Sequence, residues 1–157
     1  MPTPDRLHKL SIVLLFATLS AAYAGTTQED LAAASSKWQA AALKSYEYTV
    51  EDTPSVPTGC DQGLPARLQV HDGRVTRGFY LKATSGKTAK APIPESCLKF
   101  LYTIDSLFAY VVERVGHCQT LRVSFDAHYG YPTEVIDGCI LDGNFPVRIR
   151  DVVPARE

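Results

Sequence analysis

Residues 66–82 read ARLQVHDGRVTRGFYLK, two β-type runs hinged on Asp72-Gly73. Asp-Gly is the dipeptide best suited to the positive φ angles of a two-residue hairpin turn. Ala66 to His71 and Arg74 to Lys82 are therefore expected to pair antiparallel. On the N-terminal side, Ser45 to Glu51 has period two: Tyr46, Tyr48 and Val50 share one face, while Glu47, Thr49 and Glu51 share the other. Between these strands, residues 52–64 carry Pro54, Pro57, Gly59, Cys60 and Gly63 and read as a loop.

Further out the period changes. Thr26 or Thr27 can cap a helix whose first turn holds Glu29 and Asp30, and Leu31, Ala34, Ser35, Trp38, Ala41 and Ala42 recur on one stripe. Trp38 is its expected anchor. Residues 83–96 are polar, with Lys87 and Lys90 near the middle, and read as an exposed loop with solvated lysines. Thr103 then caps a second helix with Asp105 in its first turn, an apolar stripe of Ile104, Leu107, Phe108, Val111, Val112 and Val115, and Gly116 at its end. In the last third Leu121, Val123 and Phe125 alternate with polar residues, residues 126–132 turn, and a strand runs from Thr133 to about Leu141. Asp142-Gly143 begins another hairpin into Phe145 to Val153. The expected class is α+β: an antiparallel sheet covered on one face by two helices, in the order α-β-β-β-α-β-β-β, readable as a duplicated α-β-β-β unit.

The first 24 residues read as an export leader. Arg6, His8 and Lys9 are its basic region, Leu10 to Ala22 its apolar core, and Ala22-Tyr23-Ala24 its small-x-small cleavage pattern. Cutting between Ala24 and Gly25 leaves one domain, residues 25–157, periplasmic or secreted. The apolar run is short for a hydrocarbon core of about 30 Å, and no cysteine follows it to carry a lipid, so no stable membrane anchor is expected. Losing Arg6, Lys9 and Asp5 leaves a formal net charge of −2, which argues against a nucleic-acid partner and against a polybasic membrane patch.

All four cysteines, Cys60, Cys97, Cys118 and Cys139, fall after the leader, and an oxidising compartment makes two disulfides the expectation. Folding residues 118–139 as a hairpin brings Cys118 near Cys139 and leaves Cys60 with Cys97. Val123 and Val135 want the same face, which offsets the cysteines by one residue, and Gly138 is a candidate bulge to repair it. A zinc knuckle is disfavoured because no two cysteines have close C-x₂₋₄-C spacing.

Trp38 followed by Ser45-Tyr46-Glu47-Tyr48, the hairpin at residues 70–75, the helix start at Thr103 to Phe108, and Val123 to Asp126 leading to Gly130-Tyr131-Pro132 together carry a resemblance. The chain resembles an exported bacterial family of small secreted proteins or lipoproteins catalogued as a domain of unknown function. Members often carry a cysteine pair shortly after the Ser-Tyr-x-Tyr strand, where this chain has only Cys60. The resemblance implies domain bounds and compartment, and leans away from an enzyme.

The familiar catalytic signatures are missing: no G-x-S-x-G elbow, H-E-x-x-H helix, P-loop or G-x-G-x-x-G. His71, His117 and His128 fall on separate segments, and Glu47, Glu51, Asp126 and Glu134 have no spacing that demands convergence. Asp137-Gly138 and Asp142-Gly143-Asn144 offer oxygens but do not match a calcium loop and read as turns. No catalytic, cofactor or metal residues are assigned. Asp126, His128, Tyr129 and Tyr131 form a candidate recognition loop, with a turn held by Asp126 as its structural alternative.

The leading expectation is a non-catalytic exported domain that binds a protein or an envelope component, with an inhibitor or immunity factor as one form. A carrier of an apolar small molecule, with a cavity under the helices, is the first alternative. A hydrolase with an unfamiliar site is the second.

Overall fold

A computed structural model describes residues 26–51, 60, 65–84, 87–139 and 145–155. The leader with its cleavage site at Ala24 and Gly25, most of the 52–64 loop, and Asp142-Gly143-Asn144 lie outside the described residues. The element order is α1 (Gln28–Ala41), β1 (Ser45–Glu51), β2 (Ala66–His71), β3 (Arg74–Thr84), β4 (Lys87–Pro92), α2 (Glu95–Leu98), α3 (Ile104–Arg114), β5 (Arg122–Phe125), β6 (Pro132–Asp137) and β7 (Phe145–Pro154). The strands form one antiparallel sheet in the order β4-β3-β2-β1-β7-β6-β5, so the class is mixed α+β.

Local chemistry explains most boundaries. Thr27 opens α1 through a capping box with Asp30, and Thr103 opens α3 through one with Ser106. Asp72 and Gly73, at φ 47° and 72°, close the two-residue hairpin between His71 and Arg74. On α1 only Leu31, Ala34 and Trp38 are buried, a narrower stripe than its apolar residues suggest. On α3 Ile104, Leu107, Phe108 and Val111 are buried, but Val112 is 56% exposed, because it points away from the sheet. Both helices pack on the face that carries Tyr46, Tyr48, Val50, Leu68, Val70, Val135, Val147 and Ile149.

Three expectations are corrected. Residues 83–96 are not a loop: β4 pairs with β3 from Phe79↔Pro92 to Thr84↔Lys87, and α2 follows. All six residues of β4 are exposed, so nothing in its sequence had to alternate. The duplicated unit is not realised. The series β5-β6-β7 and β1-β2-β3 run in the same direction across the sheet but with opposite strand polarity. Superposing them requires turning the sheet over, which would put α1 and α3 on opposite faces. The bulge expected at Gly138 is also absent: the β5–β6 register shifts between Ser124 and Phe125 instead. Pairing ends at Arg122↔Ile136, and Cys118 reaches Cys139 from a turn in which the Leu121 N–H donates to the Cys118 carbonyl.

The disulfides join Cys60 to Cys97 and Cys118 to Cys139, and no described cysteine is free. In β7 a bulge at Asp151, φ 55°, changes which side chains face inward. Val147 and Ile149 are buried, strict alternation would bury Asp151 next, and the bulge buries Val152 in its place.

Candidate functional site

Residues from three of the four motifs, all but the hairpin at residues 70–75, meet in one interlock beneath the sheet. The Trp38 indole Nε1–H donates to Asp105 Oδ1 at 2.9 Å, and the ring stands edge-on to Tyr46 at 5.2 Å and to Tyr131 at 6.5 Å. The Tyr46 hydroxyl accepts the Ile104 N–H at 3.0 Å, one of the first-turn donors that a helix cannot satisfy itself. The Tyr48 hydroxyl donates to the Tyr102 carbonyl. Burial pushes the phenols of Tyr46 and Tyr48 well above their ordinary range, so both stay neutral hydrogen-bonding groups. These residues therefore join α1, β1 and the start of α3, and their chemistry is that of a core.

The recognition-loop residues divide. Asp126 Oδ1 accepts from the N–H groups of His128 at 3.0 Å and Tyr129 at 2.6 Å, so it organises the turn. Tyr131 is buried against Trp38 and belongs to the interlock. His128 is exposed, with its ring 4.4 Å from that of half-buried Tyr129. The turn is seated on α1: Lys37 Nζ donates to the Ala127 carbonyl, and Gly130, at φ 79°, lies so close that a Cβ there would be 2.4 Å from the Ala34 carbonyl oxygen.

Opposite the helices, the outer sheet face is a lattice of charged and polar side chains. Arg67 bonds Glu47 Oε2 at 3.3 Å, Thr49 Oγ1 at 3.2 Å and the Asp151 carbonyl at 3.0 Å, while Gln69 donates to Glu47 Oε1 at 2.7 Å. Arg148 pairs with Glu134 at 2.8 Å and Arg150 with Glu51 at 3.1 Å. The strand register generates these pairs, which sequence spacing alone did not reveal. The same register brings Ser45 Oγ to 2.7 Å from His71 Nδ1, with His71 Nε2 3.3 Å from Asp72 Oδ2. The His71 and Asp72 side chains are 66% and 70% exposed, so water screens this chain and it works as a turn fastening.

Near the Cys118–Cys139 bridge sits Asp137, a carboxylate with 0% exposure. It accepts from Tyr110 Oη at 2.6 Å, Arg114 Nε at 2.6 Å and the Cys139 N–H at 2.9 Å. Burial pushes its pKa up, but these three donors outweigh burial and hold it below the ordinary carboxylate range. Cys118, Asp137 and Cys139 cluster closely enough to hold a metal, but both sulfurs are spent in the disulfide, so the group does not fit one. Elsewhere an open groove of about 690 Å³ runs between the start of β3 and α2–α3, with Val75, Leu98 and Leu101 among its walls and Arg74, Glu95 and Lys99 at its margins.

The family model DUF6174, described as a family of unknown function, matches residues 30–152, and the chain belongs to that family. The matched span takes in the whole interlock. No curated protein and no solved structure matches the chain.

Proposed function

We propose that this protein is an exported, non-catalytic binding domain, periplasmic or secreted, that recognises a protein or envelope component through the outer face of its sheet. The observation that carries this reading is the polar lattice centred on Glu47, Arg67 and Gln69. It extends across β1, β2 and β7 and is held in place by bonds between those strands, a form suited to the surface of a macromolecule. The leader reading of residues 1–24 and the two disulfides support the compartment. An inhibitor or immunity factor is the form that best uses such a preformed surface.

Photo-crosslinking in living cells tests it. A photoreactive residue replacing Ser124, exposed on the outer face, should capture a defined partner, and one replacing Ser36, exposed on α1, should not. Equal yields from both positions, or turnover of a cell-wall substrate by the purified protein, would refute the reading. The groove lined by Val75, Leu98 and Leu101 favours a second reading, carriage of an apolar small molecule. Native mass spectrometry of the purified protein without any co-purified ligand would remove it.

A further inference from the structure

We infer that the outer edge of β4 receives an extended acidic segment of a partner protein, which adds as an eighth strand to the sheet. This rests on the binding-domain reading and names the chemistry of the partner.

The two sheet edges differ. At β5 the start of the described chain covers the edge: the Thr26 N–H donates to the Leu121 carbonyl at 3.3 Å, and Thr26 Oγ1 accepts the Val123 N–H at 2.6 Å. At β4 no described residue plays that part. The Ile93 N–H donates to the Gly78 carbonyl at 2.9 Å, which sets the parity of the ladder. Lys87, Ala89 and Ala91 therefore turn their backbone groups toward β3. Thr88 and Lys90 turn theirs outward, and Pro92 offers only a carbonyl. A row of outward N–H and C=O groups is what strand addition uses.

Side-chain charge selects the occupant. Lys87 stands on the helix-bearing side of the ribbon and Lys90 on the opposite side, both exposed, and neither pairs with a described carboxylate. The side chains between them are only Thr88 and Ala89, which leave the backbone accessible. A second copy of the chain offers less: the outward residues allow antiparallel self-pairing with Lys90 opposite Lys90, a destabilising like-charge contact, or with Lys90 opposite Thr88, and neither register sets a carboxylate against a lysine. A strand with carboxylates on both of its faces instead meets a lysine above and below. An anionic lipid surface would use the lysines but leave the outward backbone groups unpaired, so a peptide accounts for more of the edge.

The test uses the purified, oxidised protein and a fluorescent decapeptide in which Glu-Glu pairs alternate with Thr-Val pairs, so that an extended strand carries carboxylates on both faces, read by fluorescence anisotropy and by amide NMR. Binding should be saturable, weaken with salt, and shift the Thr88 and Lys90 amides most. Thr88→Pro removes an outward N–H without touching the β3 ladder and should lower affinity about tenfold, whereas Thr88→Ala should not. Lys87→Glu with Lys90→Glu should abolish binding and confer binding of the matching Lys-containing peptide. Melting curves confirm that each variant is folded; if Thr88→Pro is not, the charge-reversed protein and the amide shifts still decide. Absence of saturable binding, amide shifts elsewhere, retained affinity in folded Thr88→Pro, or lysine-dependent binding to vesicles of anionic phospholipid without peptide binding would overturn the inference. If crosslinks from the outer sheet face still recover a partner, only the β4 inference falls.

Discussion

Asp137 shows what a single buried charge does here. Its partners come from α3 and from the turn after β6, so one carboxylate ties the helix to the disulfide corner. Asp137→Asn should cost about 1–3 kcal/mol at neutral pH, because donors aimed at a carboxylate are left poorly matched. The pH dependence has a definite sign. The folded-state pKa is depressed, so the carboxylate's contribution is complete above the unfolded value of about 3.9 and is lost as pH falls below it through the folded value. Urea titrations should therefore show the gap between wild type and Asp137→Asn narrowing below that pH; a constant gap would contradict the assignment. Two glycines separate backbone conformation from space. Gly73→Ala meets nothing within 4 Å and should cost about 1 kcal/mol for its positive φ. Gly130→Ala carries the same conformational cost plus a collision with α1, and should cost about 2–4 kcal/mol, measured by denaturant unfolding.

At the scale of elements, α1, β1 and α3 behave as one unit because Trp38 donates to Asp105 and stands edge-on to Tyr46, whose hydroxyl accepts the Ile104 N–H. Tyr46→Phe keeps the ring but leaves the Ile104 N–H buried without an acceptor, and should destabilise by about 1–3 kcal/mol. Trp38→Ala removes the whole anchor and should cost about 3–5 kcal/mol in the same unfolding measurement. A Tyr46→Phe protein as stable as wild type would mean the phenol is not the acceptor. The helix caps and the Asp-Gly hairpin were legible in the sequence because each is a contact within a few residues. The interlock was not, since Trp38 and Asp105 are 67 residues apart and meet only through the sheet. Nor was β4, whose two wet faces impose no pattern on its residues.

The whole molecule is stapled at two places, by bridges that join cysteines 37 positions apart in the sequence at Cys60 and Cys97 and 21 apart at Cys118 and Cys139. Loop-closure entropy makes each bridge worth about 3–4 kcal/mol, so reduction should lower the melting temperature markedly, and an unchanged melt would contradict a stabilising role. Of the candidate recognition loop, His128 is exposed and Asp126 and Tyr129 are half-buried, while Asp126 organises the turn and Tyr131 is packed on Trp38. The outer-face lattice lay beyond the reach of sequence reading because it exists only where β1 lies between β2 and β7.

The sequence by itself determined the hairpin at Asp72-Gly73, the strand character of Ser45 to Glu51, the extents of the two longer helices and the family, all through local backbone preference and side-chain period. Tertiary structure alone decided the strand order, the fourth strand of the first half, the inward turn of Val152 and the pairing of charges across the outer face. These depend on which distant segments become neighbours, and period and turn chemistry, which act over a few residues, carry no information about that choice.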